Sequence, residues 1–187
     1  MRRILCLAGL MCAASVLVWA PAAAAGDVRC TGAMTGPING NVTVPSGESC
    51  RLTNAAVSGN VTVQIGANAV VTTSTVGGNY SCNNCTYADL HGSTVNGNYL
   101  ISGEKEGTFI DGSTIKGDLQ IKTSSAGPEE FAIGSNVIGG NFSFNNNNGP
   151  STFMDNAITG NLTCHNNAPP PATIGNTAKS MQGQCAP

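Results

Sequence analysis

The sequence predicts an all-β protein: a single-stranded right-handed parallel β-helix, or β-solenoid, of about seven coils with a disulfide at each end. Three observations predict it. A short phrase built on Gly-Asn recurs along most of the chain. Apolar residues hold fixed offsets from the glycine of that phrase. Two pairs of cysteines lie about one repeat apart.

The phrase reads apolar, any residue, Gly, Asn, apolar, polar, apolar. It occurs as Ile38 to Val44, Val57 to Val63, Val76 to Cys82, Val95 to Ile101, Ile115 to Ile121, Ile138 to Phe144 and Ile158 to Cys164. A degenerate copy around Gly183 closes the chain. The glycines are Gly40, Gly59, Gly78, Gly97, Gly117, Gly140, Gly160 and Gly183, at spacings of 19, 19, 19, 20, 23, 20 and 23. A unit of this length cannot bury an apolar side alone and must stack on its neighbours. Offsets of minus seven, minus two, plus two and plus four from the glycine are apolar. The last two flank a polar residue, which is strand periodicity with one face buried. Gly-Asn is expected to turn the chain, since both residues tolerate left-handed backbone. In-register stacking puts each position about 4.8 Å from its equivalent, so seven coils make a rod roughly 30 Å long. The Asn residues then form a ladder of Asn41, Asn60, Asn79, Asn98, Asp118, Asn141 and Asn161. Left-handed hexapeptide helices place apolar residues at multiples of six. The spacings here are 5, 4, 2 and 8, which predicts a right-handed coil.

Residues 1–25 differ from the rest. Arg2 and Arg3 precede an apolar run from Ile4 to Ala20, and Ala22 to Ala25 offer a cleavage site. This is the pattern of a secretory signal peptide. No membrane span and no lipid anchor at Cys6 or Cys12 is expected. Residues 26–187 then form one β-solenoid domain: an N-terminal cap over 26–37, repeat coils over 38–164, and a C-terminal coil and cap over 165–187. Only 10% of the residues are charged and no basic block occurs, which argues against nucleic acid as a partner.

The coil resembles the right-handed parallel β-helix repeat proteins that bacteria secrete, in particular small ones with Gly-Asn-apolar repeats and a cysteine near each end. The resemblance spans roughly residues 30 to 185 and implies an architecture rather than an activity. Sugar-cleaving members of that fold carry extended loops on one side. Here the insertions are short, at residues 104–107, 124–130 and 145–150, with a Pro-rich bridge at 168–171.

Six cysteines follow the leader, and an even count in a secreted chain suggests disulfides. Cys30 and Cys50 are 20 residues apart, and Cys164 and Cys185 are 21 apart. Each interval is one coil, so each pair is expected to stack on adjacent rungs and to bond. Cys82 and Cys85 leave open a disulfide across a turn, a redox pair, a metal site or free thiols, and the local disulfide is the expectation. His91 and His165 fall several coils apart, too far to share an ion.

No nucleophile motif, phosphate loop or paired-histidine motif occurs. Asp89, Asp111 and Asp155 are the best candidates for a carboxylate pair of the kind glycosidases use, but they lie at different offsets from the repeat glycines. Glu104, Lys105 and Glu106 read as a solvated loop. Tyr80 and Tyr99 occupy a core column rather than a sugar-stacking position. Six Asn-x-Ser/Thr sequons, at Asn41, Asn60, Asn79, Asn84, Asn141 and Asn161, are mostly a by-product of the ladder. No catalytic residue, cofactor or metal is assigned. The expectation is a non-catalytic structural or interaction module, secreted, extracellular or periplasmic, whose partner is an extracellular polysaccharide or a cell-surface component. A carbohydrate-binding or carbohydrate-acting protein is the alternative. Ice binding stands third, on the outward column Thr43, Thr62, Ser81, Ser143 and Thr163, which Leu100 and Gln120 interrupt.

Overall fold

Each repeat carries its apolar residues at alternate positions, so each folds as strands with one face turned inward. The computed structural model describes residues 26–187. The predicted signal peptide lies outside the described residues. Those described form a parallel β-solenoid of about eight turns, with strands and turns but no helix. One turn runs through Tyr80–Asn83, Tyr87–His91 and Thr94–Val95. The first of these stacks into a nine-stranded sheet, which we call sheet 1. The other two stack into a thirteen-stranded sheet, sheet 2, whose two rows of strands meet in the long strand Ser49–Val57.

Register follows the predicted columns. Val42, Val61, Tyr80, Tyr99, Leu119, Phe142 and Leu162 pair in succession and are buried. Leu52, Val71, Leu90, Ile110, Ile133 and Phe153 do the same on sheet 2. The core is one continuous apolar column. Tyr80 and Tyr99 stack inside it at 4.4 Å between ring centroids, and Phe131, Phe142, Phe144 and Phe153 fill its C-terminal half.

The turn count exceeds the predicted seven because residues 26–38 form a rung of their own. Gly26–Arg29 pairs with Gly40–Val44, and Ala33–Ile38 pairs with Ser49–Val57. At the other end the register differs from the predicted one. Gly160 is matched by Lys179, and Leu162 pairs with Met181, so Gly183 stands opposite Cys164. The last repeat is therefore 19 residues long, like the first ones.

The repeat glycines have a different cause from the one expected. Among them only Gly40 and Gly183 have positive φ, and Gly183 is not in the repeat register. A side chain at Gly59, Gly78, Gly97, Gly117, Gly140 or Gly160 would instead collide with the ladder Asn or Asp of the preceding coil. That side chain lies under the glycine because its Oδ1 accepts the backbone N–H of the next ladder residue. The bonds run from Asn60 to Asn41, Asn79 to Asn60, Asn98 to Asn79, Asp118 to Asn98, Asn141 to Asp118 and Asn161 to Asn141, at 2.7 to 3.0 Å. The left-handed residues sit at two other corners. One holds Asn54, Thr73, Gly92, Gly112, Ser135 and Asp155, and the other Gly66, Asn84, Gly103, Thr123, Asn146 and Asn166.

Each of those corners leads into a buried polar ladder. The backbone N–H groups of Ala55, Ser74, Ser93, Ser113, Asn136 and Asn156 each donate to the side chain one coil on, ending at Asn176. At the other corner Glu104, Ser124, Asn147 and Asn167 donate in the same way, ending at Gln184. Corners cannot use ladder bonds of the sheets, so these side chains satisfy backbone groups that would otherwise be buried unpaired.

Disulfides join Cys30 to Cys50, Cys82 to Cys85 and Cys164 to Cys185, with Cα separations of 5.5, 5.7 and 5.3 Å. The end pairs are not stacked equivalents. Cys30 follows a sheet 1 strand, whereas Cys50 lies in a sheet 2 strand of the next turn, so the bond crosses a corner.

Two outcomes test this account. Ile121→Asp buries an unpaired charge in the core and is expected to remove at least ~3 kcal/mol from urea-unfolding stability, whereas Gln120→Asp on the outer face should change it by less than ~0.5 kcal/mol; equal effects would refute the register. Gly97→Ala should cost about 2 kcal/mol through its collision with the Asn79 side chain and the Gly78 backbone, and an Asn79→Ala background should relieve only the side-chain part of that cost. Additive costs in that cycle would show that the backbone of the preceding coil, and not the Asn side chain, requires the glycine.

Candidate functional site

The outer face of a solenoid strand carries the residues that alternate with the core. On sheet 2 the strand Tyr87–His91 turns Ala88 and Leu90 inward, so Tyr87, Asp89 and His91 face out. The next rung, Thr108–Asp111, presents Phe109 beside Asp89 and Asp111 beside His91. Arg51 and Val70 precede Asp89 in its column. Arg51, Val70, Thr72, Tyr87, Asp89, His91 and Phe109 line a cleft of about 440 Å³.

The insertions wall this face. All of them fall at the corner between sheet 1 and the longer strands of sheet 2. Ser125, Asn148 and Ala168 stack there through parallel bridges, so the loops form a ridge. Glu106, Gly107 and Glu129 close the cleft on that side. A second cleft of about 450 Å³ continues along the axis. It is lined by Phe109, Asp111, Glu130, Ala132, Gly134 and Met154 among others, with small residues on its floor. Five of the chain's ten carboxylates line the two clefts.

Asp89 is the most perturbed group facing the cleft. Burial raises its pKa, the backbone N–H of Phe109 donates to Oδ1 at 2.9 Å and lowers it, and the charges of Glu129 and Asp111 raise it while His91 lowers it. His91 Nδ1 is in close contact with Asp111 Oδ1, and this is the side-chain partner of the ring. Asp89 and Asp111 thus share one face of neighbouring rungs. Asp155 does not join them: it occupies the left-handed corner two turns beyond Asp111.

Glu104 is not part of a solvated loop. It is 1% exposed and fills the corner column that Cys85, Ser124, Asn147 and Asn167 also occupy. Its Oε1 accepts the N–H of Glu106 at 2.8 Å, and burial pushes its pKa up to about 8. Glu106 itself is exposed. The Cys82–Cys85 disulfide is buried beside this corner, which keeps its sulfur atoms from solvent. Tyr80 and Tyr99 are wholly buried, and Tyr99 donates its hydroxyl to the Ala88 carbonyl at 2.8 Å. His165 ends a sheet 1 strand, far from His91 in the stack. Among the described residues no group of three or more His, Cys, Asp or Glu side chains is placed to hold a metal ion.

Sequence reasoning missed the two inner ladders and the cleft. The signals were present. Ser74, Ser93, Ser113, Asn136 and Asn156 all stand four residues before a repeat glycine, and Cys85, Glu104, Ser124, Asn147 and Asn167 all stand seven after one. Asp89 and Asp111 stand eight and six before theirs, which are the two outward positions either side of an inward one. No family model, curated protein or solved structure matches this chain.

The desolvated Asp89 gives a pH-dependent outcome. Its raised pKa means that the ionised form is disfavoured in the fold, so it costs stability above the ordinary carboxylate range and costs nothing once protonated. Asp89→Asn keeps an acceptor for Phe109. It should raise urea-unfolding stability by about 0.5–1 kcal/mol at pH 7 and leave it unchanged at pH 3. A loss at pH 7 would mean that the charge is compensated.

Proposed function

We propose that the protein is a non-catalytic interaction module that works outside the cytoplasm, with the solenoid as a rigid scaffold and the cleft on sheet 2 as its contact surface for a polysaccharide or a cell-surface component. One observation carries this reading. A chain with few charges gathers Tyr87, Asp89, His91, Phe109, Asp111, Glu106 and Glu129 from successive turns on one walled face. Mixed polar and aromatic linings are what elongated, hydroxyl-rich ligands engage. Three disulfides accord with an oxidising compartment, as does the signal-like segment at residues 1–25. No helix among the described residues is long and apolar enough to cross a membrane. A secreted bacterial source is part of the same proposal, resting on that segment and on the repeat type.

A second reading is favoured by one detail, the nearness of a desolvated Asp89 to the paired His91 and Asp111. In that reading the protein acts on carbohydrate, with Asp89 as acid.

The test is a glycan array together with binding to intact cells, using the protein and a Tyr87→Ala, Asp89→Asn, Glu129→Gln triple variant. The expected outcome is binding at least tenfold weaker for the variant, with no product released from polysaccharides. Turnover that a folded Asp89→Ala, His91→Ala variant lacks would install the enzyme reading instead. Binding that the triple variant retains would remove the cleft from either.

A further inference from the structure

We infer that Glu104 is a positioning residue for the cleft: its buried carboxyl clamps the 104–107 loop that forms part of the cleft wall, and loss of its proton loosens the clamp. The inference deepens the reading of the cleft as a contact surface and rests on it for its functional meaning.

The corner column defines what Glu104 replaces. Ser124, Asn147 and Asn167 each turn the side chain toward the preceding coil and accept its backbone N–H, at 3.1, 3.0 and 3.0 Å. Glu104 has a longer side chain and folds back on its own loop. Its Oε1 accepts the Glu106 N–H at 2.8 Å, and the carboxyl also attracts the Gly107 N–H. Both of those residues line the cleft. The Glu106 N–H is shared with the Thr86 carbonyl at 3.0 Å, so the clamp pins the wall to the rung below.

The surroundings favour the neutral acid. Glu104 is 1% exposed, and Oε2 has no hydrogen-bond partner among the described residues. The charged and titratable groups that face it are Asp89 on the neighbouring strand, Glu106 on its own loop and Tyr99 in the core. The carboxylates repel its charge, and no Lys or Arg ion pair offsets it among the described residues. A neutral carboxyl can still accept through Oε1. An ionised one leaves a bare oxygen buried beside two other carboxylates, and the loop relieves this by moving into water.

The sign follows from linkage. In the clamped state the pKa is about 8, against 4.5 for an exposed glutamate. Clamping is thus strongest below the ordinary carboxylate range, weakens as pH rises toward 8, and levels off above.

The experiment is NMR-detected hydrogen exchange of the Glu106 and Gly107 amides from pH 5 to 9, expressed as protection factors, with the Gly117 and Gly140 amides as internal references. In the wild-type protein, protection of the two loop amides is expected to fall at least tenfold between pH 5 and 8 and then level off, while the references hold. Glu104→Gln, which keeps the acceptor and cannot ionise, should show no such slope. Glu104→Ala should show lower protection of both amides than the wild type at pH 5 and no pH slope, the Glu106 amide keeping only its bond to the Thr86 carbonyl. A flat wild-type profile, a slope retained in Glu104→Gln, or protection in Glu104→Ala equal to that of the wild type at pH 5 would each overturn the assignment. The wild-type titration stands even if a variant fails to fold. No ligand enters the measurement, so the clamp can fail while the cleft remains a contact surface, and it can hold if the cleft is not one.

Discussion

A carboxamide oxygen lying beneath a glycine is the constraint on which the rest of this solenoid depends. Strands within a sheet satisfy their own backbone groups, but the chain must also turn three times per coil, and each turn leaves N–H groups with no strand partner, buried at the two inner corners. The outer corner solves this with Asn Oδ1 accepting from the coil above, which forbids a side chain at the glycine over it. Asp118 replaces Asn within the run because only the acceptor oxygen is required there, not the amide. One inner corner uses Ser74, Ser93 and Ser113 and then Asn in the later turns, while the other holds Cys85 and Glu104 ahead of Ser124, Asn147 and Asn167. The Asn residues bond from Nδ2 to the carbonyls of Ile110, Ile133 and Phe153 at 2.7 to 2.8 Å, where the Ser hydroxyls reach the equivalent carbonyls of Leu52, Val71 and Leu90 only at 3.3 to 3.4 Å. The change coincides with the wider turns and the Phe-rich half of the core.

The same corners explain where variation is tolerated. Loops at residues 125–130, 148–150 and 168–171 leave the coil at the corner between sheet 1 and the longer strands, after a ladder residue has fixed the backbone. Extra residues there cost little, because the stacked strands on either side stay in register. They gather on one edge of one face, and that edge is the wall of the cleft. Scaffold and candidate site are therefore made by one rule: regular columns inside, departures at a single corner.

Most of the fold was legible in the sequence because its cause is periodic. Val57, Val76 and Val95 or Ile101 and Ile121 declare their direction by alternation, and alternation survives without knowledge of the neighbours. Legibility failed where a residue's role is set by its stacking partner rather than by its own type. Glu104 sits in a Glu-Lys-Glu run that looks solvated, yet its register with Ser124 and Asn147 puts it inside. Gly183 resembles a repeat glycine, but pairing with Cys164 assigns it a different place. Asp89 and Asp111 were recognised as candidates. Their common face and the His91 contact follow from offsets that differ by two, a relation visible only once the columns are aligned as strands.

The two terminal disulfides bear on how the molecule would respond to tension. The first and last strands of sheet 1, Gly26–Arg29 and Ser180–Gly183, lie at opposite ends of the stack, so a pull on the chain ends acts along the axis and would unwind coils one by one. Each released coil of about twenty residues would extend from about 4.8 Å to roughly 65 Å. The Cys30–Cys50 and Cys164–Cys185 links take the outermost turns out of that process, because the chain between bonded cysteines carries no load. Once Gly26–Arg29, which precedes the first link, has peeled away, extension would have to begin at a coil that is stacked on both sides, where the ladders above and below must yield together. A thread of repeats that would otherwise fray from its ends is thereby made to resist as a block.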